Sequence, residues 1–156
     1  MREEIQDRIA AMLNAIDRLD WTAVRAAFAA TVAIDYTSLF GGSAETLAAA
    51  ALIERWRGLL PGFDATQHLI GPVIVAGSGE RATAETQVRG YHHLSGAEGG
   101  PVWMVAGRYR LAMERRGGEW TIGGLTLELA YQEGNLGLPA LAQARVAEGK
   151  VRGDRG

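Results

Sequence analysis

The sequence has no cysteine and a single lysine, Lys150. The first absence excludes disulfides, thiolate nucleophiles and cysteine-ligated zinc, and it fits a reducing cytoplasm, the expected location. The second leaves one candidate for Schiff-base chemistry. Lys150 stands in a polar C-terminal stretch rather than a pocket-forming one, so lysine-based covalent catalysis is not expected. Despite 21 glycines, there is no Gly-x-Gly-x-x-Gly or Walker-type loop, and no Gly-x-Ser-x-Gly elbow. No apolar run is long and uncharged enough for a signal peptide or a membrane span. The formal net charge is -2, which offers no basic surface for nucleic acid.

The 156 residues are 47% hydrophobic and 22% charged, a globular composition of one-domain size. A chain of this length buries roughly 68–70% of its unfolded surface and needs no staples. Ile5, Ile9, Met12, Ile16 and Leu19 recur at helical spacing and predict a helix over 3–19. Asp20 reads as the N-cap of a second helix with Trp21, Val24 and Phe28 inside. Val32, Ile34 and Tyr36 alternate and predict a strand over 31–39 with those three on one face. Ser43 is the expected N-cap of a third helix, with Glu45 in its first turn, ending near 58–61. Four β-rich stretches follow, 65–76, 81–94, 102–115 and 119–132, separated by glycine-rich breaks that imply a largely antiparallel meander. The expected class is α+β: a cone of curved antiparallel (mixed) sheet, with three N-terminal helices enclosing an internal pocket. One domain is expected over 1–138. A tail over 139–156 is expected to form a helical turn or two and then fray.

Few residues carry chemistry. His68 shares strand parity with Ile70, so it either points into the cavity or serves as a structural histidine at a strand end. Asp17 lies at the border of the first helix's apolar stripe, a place for a surface acid or a partnered one. If the two met, the carboxylate would hold one imidazole nitrogen and leave the other as a general base near neutral pH. Tyr36 points inward, as core or as a donor to a substrate oxygen. Of the adjacent His92 and His93 only one can face the cavity, and parity with Val88 and Gly90 selects His92. Trp103 and Tyr109 share one face of the third long strand, and Leu125, Leu127 and Leu129 one face of the fourth. Such an apolar cone with few polar groups is a small-molecule site. No ligand spacing supports a metal at His68 and His92, and none is expected.

Several local patterns together resemble the SnoaL-like group of the nuclear-transport-factor-two fold, and within it the scytalone dehydratase branch. They are Asp17 with Asp20-Trp21, Ile34-Asp35-Tyr36, Thr66-Gln67-His68 with Ile70-Gly71, Gly90-Tyr91-His92, and Gly118 with Trp120. The resemblance runs from about residue 5 to residue 135. It implies a cofactor-free lyase in which Asp17 pairs with His68 and Tyr36 polarises a substrate carbonyl. Isomerase or aldol-type cyclase chemistry in the same pocket, and non-catalytic binding of a small molecule, are the alternatives. Trp21, His92, Tyr109 and Leu127 are the expected substrate contacts. The fold implies a homodimer or homotrimer, with neither nucleic acid nor membrane as a partner. Three positions depart from the branch. Ile16 replaces a tyrosine, the second catalytic histidine has no counterpart and falls near Glu98, and Gly107 and Tyr109 replace polar residues. A more apolar substrate is therefore expected.

Overall fold

The computed structural model describes residues 1–152; the charged end expected to fray lies partly in 153–156, outside the described residues. Helix α1 (Arg2–Asp17) buries Ile5, Ile9, Met12, Leu13 and Ile16 as one stripe. It ends in a Schellman arrangement. Leu19 N–H donates to the Ile16 carbonyl at 3.0 Å and Asp20 N–H to that of Ala15 at 2.9 Å. Leu19 takes the left-handed seat, φ 57°, that glycine usually fills. Asp17 is thus the last helical residue, and its side chain projects at the helix end. The Asp20 carboxylate accepts the Ala23 N–H at 3.1 Å and starts α2 (Trp21–Ala27), as its cap position predicts.

Strand β1 (Phe28–Asp35) begins earlier and ends earlier than its alternation predicts. The Asp35 carboxylate accepts from Thr37 N–H at 3.0 Å and Thr37 Oγ1 at 2.7 Å. This Asx turn stops the strand and opens the short helix α3 (Thr37–Phe40). The Ser43 cap is likewise overturned. Residues Glu45–Ala48 form β2, antiparallel to β1, and α4 (Ala49–Arg57) starts after them without a side-chain cap. Covering the open edge of β1 outweighs the local capping signal, because an edge strand leaves its backbone groups unpaired. Glu45 instead pairs with Arg55 at 2.5 Å.

The remaining strands are β3 (Ala65–Ile70), β4 (Ile74–Ser78), β5 (Arg81–His93), β6 (Val102–Arg116) and β7 (Glu119–Gly134). The expected 65–76 stretch is split at Gly71-Pro72, since proline donates nothing to a ladder; β3 and β4 both pair with β5. The sheet order is β2-β1-β7-β6-β5-β3. It is antiparallel except for the β1–β7 pair, so the mixed α+β architecture is as expected. On β7, Gly123 and Ala130 are extra residues relative to β6. These bulges put Ile122 opposite Met113 and Leu125 opposite Leu111, all four buried. Helix α5 (Leu138–Ala147) exceeds the expected turn or two. It buries Leu138 and Ala142 against the 3-10 turn Leu60–Gly62, where the Ala142 carbonyl leaves no room for a Cβ on Gly62. Among the described residues no helix is long and apolar enough to cross a membrane.

Candidate active site

Even-numbered residues of β3 and β5 and odd-numbered residues of β6 face the helices. In register, Thr66, His92 and Trp103 form one row, and His68, Gly90 and Val105 the next. Gly90 matters here. A Cβ at that position would meet both imidazoles, of His68 and His92, at 3.4 Å. The two rings lean over this one strand position, 6.0 Å apart and edge to face.

β3 has no strand neighbour beyond β5 on its path through the sheet, and the end of α1 covers it at His68. The Asp17 carboxylate takes three hydrogen bonds there. Oδ2 accepts the His68 backbone N–H at 2.8 Å. Oδ1 accepts from His68 Nδ1 at 2.7 Å and from Thr66 Oγ1 at 3.1 Å. Burial alone would raise the Asp17 carboxyl, but the hydrogen bonds and charge of His68, with Thr66, outweigh it and hold the group below the usual carboxylate range. An ionised carboxylate only accepts, so the proton of neutral His68 sits on Nδ1 and the Nε2 lone pair is free. Both side chains are mostly buried, 11% exposed for His68 and 15% for Asp17.

His68 opens on a cavity of about 320 Å³. Ile16, Ile34, Leu52, Trp56, Val88, Val105 and Leu127 supply apolar wall; Tyr36, His92 and Tyr109 are polar groups within it, and Arg55 and Gln143 also line it. Tyr36 follows directly on β1 yet keeps the inward side that its alternation predicts. Burial, reinforced by neighbouring Tyr109, pushes its phenol well above 10; burial pushes Tyr109 up to about 12. Both are hydrogen-bond donors across the working pH range. His92 is buried, with Nδ1 3.1 Å from the Trp103 carbonyl. A larger groove of about 550 Å³ crosses the sheet elsewhere, lined by Arg89, Arg108 and Glu128 among others but by no histidine.

The structure therefore brings together Asp17, His68, Tyr36, His92, Tyr109 and Leu127. It does not bring in Trp21, which packs half-buried on the core outside the cavity: as the first residue of a capped helix it is set by Asp20, and Trp56 and Trp103 line the cavity instead. Glu98 is exposed in the β5–β6 loop, its carbonyl accepting from Asn135 at 2.9 Å. Sequence reasoning missed Arg55 and Gln143, which stand on helices beside other polar residues, and Thr66, which parity with His68 was sufficient to find.

A buried acid–histidine pair thus stands at one end of a mostly apolar cavity. The SnoaL-like domain model matches residues 1–126, and the chain belongs to that family. It is similar in structure to the Kfla4162 protein of Kribbella flavida, at 26% identity and TM-score 0.82, covering 91% of this chain and 96% of that one. A protein of Novosphingobium aromaticivorans provisionally named scytalone dehydratase matches at 15% identity and TM-score 0.71, covering 85% of each chain. The hexachlorocyclohexane dehydrochlorinase LinA-type3 of Novosphingobium barchaimii matches at 18% and 0.68, over 87% of this chain and 90% of that one. The last two likenesses establish fold alone. No curated protein matches the chain by sequence.

Proposed function

We propose that this chain is a lyase of the dehydratase type, acting on a small, largely apolar carbonyl, phenolic, polyketide- or terpenoid-type molecule by acid–base catalysis. His68 Nε2 takes a proton from the carbon beside the carbonyl. Asp17 stabilises the imidazolium through Nδ1, and Tyr36 donates to the oxygen as enolate charge develops. The carbon–oxygen bond to the leaving hydroxyl then breaks, and that oxygen departs as water with the proton returned from His68. The observation that carries this reading is the 2.7 Å contact of His68 Nδ1 with a carboxylate held ionised, on a histidine that lines an apolar cavity with two protonated phenols.

An isomerase or aldol-type cyclase is the second reading. It is favoured by His92, which burial keeps neutral above a pKa of about 4. With no second acid in place, one histidine moves the proton both out and back, as an isomerase requires. The test is a panel of β-hydroxy ketones and enones assayed for water loss and for deuterium uptake at the acidic carbon. Water loss removed by His68→Ala in a folded protein supports the lyase. Deuterium uptake or double-bond migration without water loss supports the second reading. Binding with neither supports a non-catalytic binding protein.

A further inference from the structure

The Asp17 carboxylate is not the outermost member of its network. Thr66, 7% exposed, donates to Asp17 Oδ1 while its own oxygen accepts from Arg152 Nη2 at 3.0 Å. The same Nη2 donates to the backbone carbonyl of Asp17 at 3.3 Å. That carbonyl is one of the last four of α1, which have no partner within the helix. The last turn of α1 carries no basic residue of its own, so Arg152 brings a cation to the negative end of this helix from 135 positions away. Because the Thr66 oxygen is occupied by a donor, its single proton is directed at the carboxylate.

Arg152 is delivered by a built path. Gly62 admits the Ala142 backbone, Arg145 Nε donates to the Gly62 carbonyl at 3.0 Å, and Arg152 N–H donates to the Pro61 carbonyl at 2.9 Å. The segment after α5 is thereby fastened to the turn that precedes β3.

We propose that Arg152 is a positioning residue: through Thr66 and the Asp17 carbonyl it fixes the rotamer of Asp17, and so the orientation of the His68 ring. It does not line the cavity and touches no substrate. The inference rests on the acid–base reading above for its catalytic consequence, but its structural part is readable without substrate.

The test compares Arg152→Gln, Arg152→Lys and Thr66→Val in the full chain, using the His68 Nδ1–H proton resonance and the exchange rate of the His68 backbone amide. Arg152→Gln and Thr66→Val are expected to speed that exchange about threefold to tenfold and to lower kcat by a similar factor at unchanged KM, the scale of one hydrogen bond. Arg152→Lys is expected to recover most of both, since one nitrogen makes both contacts. An Arg152→Gln protein with wild-type His68 signals overturns the proposal. So does one whose losses only track a fall in Tm, with lysine no better. His68→Ala is the separate control: if it keeps full turnover, the acid–base reading fails, while the His68 resonances of the other variants still decide the role of Arg152.

Discussion

His92 stands directly opposite Trp103 across β5 and β6, with ring centroids 4.3 Å apart and planes 30° from parallel. Its Nδ1 faces the Trp103 carbonyl, and Phe63 packs on it at 5.0 Å. Burial, with the nearby His68, pulls its pKa down to about 4. The folded state therefore takes up the proton later than the unfolded chain, whose histidine titrates near 6.5. Stability is complete above the unfolded value and is lost as pH falls from there through the folded one, by about 3 kcal/mol for this single group. Urea unfolding at pH 7 and pH 4.5 is expected to show most of that loss, and His92→Phe to show much less of it. An equal loss in the variant would assign the acid sensitivity to other groups.

Asp17 holds both the His68 ring and the His68 backbone N–H. Asp17→Asn presents an amide that permits the wrong ring tautomer and cannot stabilise the imidazolium. Turnover is expected to fall about 10²–10⁴-fold, and His68→Ala at least as far. Asp17→Asn also places a donor against one of three donors, so it is expected to lower Tm where His68→Ala does so less. Steady-state rates beside circular dichroism melts separate the two effects. Full turnover in a folded His68→Ala protein removes the base from the mechanism.

Burial keeps both Tyr36 and Tyr109 protonated. Tyr36→Phe removes a donor to the developing enolate and is expected to lower kcat about 10²-fold. Tyr109→Phe is expected to act more mildly, and mainly on KM, because the ring that forms the wall remains. Neither phenol should place an ionisation limb below pH 10 in the pH–rate profile. A limb there that disappears in either phenylalanine variant contradicts the assignment.

Gly62→Ala forces a methyl group into the Ala142 backbone, which cannot yield as a flexible side chain does. The expected cost is about 1–3 kcal/mol, the usual scale of overpacking. Because α5 leads to Arg152, the His68 amide should also exchange faster. A variant with wild-type stability would mean that α5 shifts freely on the turn.

Helical spacing in α1, the Asp20 cap and period-two alternation in β5 and β6 were readable because each is a local rule. The meeting of Asp17 with His68 followed from two local facts, a wheel border and a strand parity, joined by the family resemblance. What escaped was decided by distant partners. Residues 45–48 are a strand only because β1 has an edge to cover, and β1 stops before Tyr36 because Asp35 captures Thr37. Arg152 lies so far from Asp17 in sequence that no window connects them. Trp21 was misplaced because a large aromatic beside a cap says how a helix starts, not which wall it faces.

The extra residue at Gly123 sets the phase of β7. Before it, even-numbered side chains such as Trp120 and Ile122 point inward; after it, odd-numbered ones such as Leu125 and Leu127 do. Pairing Gly123 in regular alternation, with no residue removed, would turn Leu125 and Leu127 toward solvent and rotate Thr126 and Glu128 into the chamber beside Tyr109, whereas deleting it would leave Gly124 opposite Ala112 and Leu125 opposite Leu111 as they are. The lining of the cavity is thus encoded partly as a count of residues: the same amino acids in a strand without this bulge would present a partly charged wall in place of an apolar one.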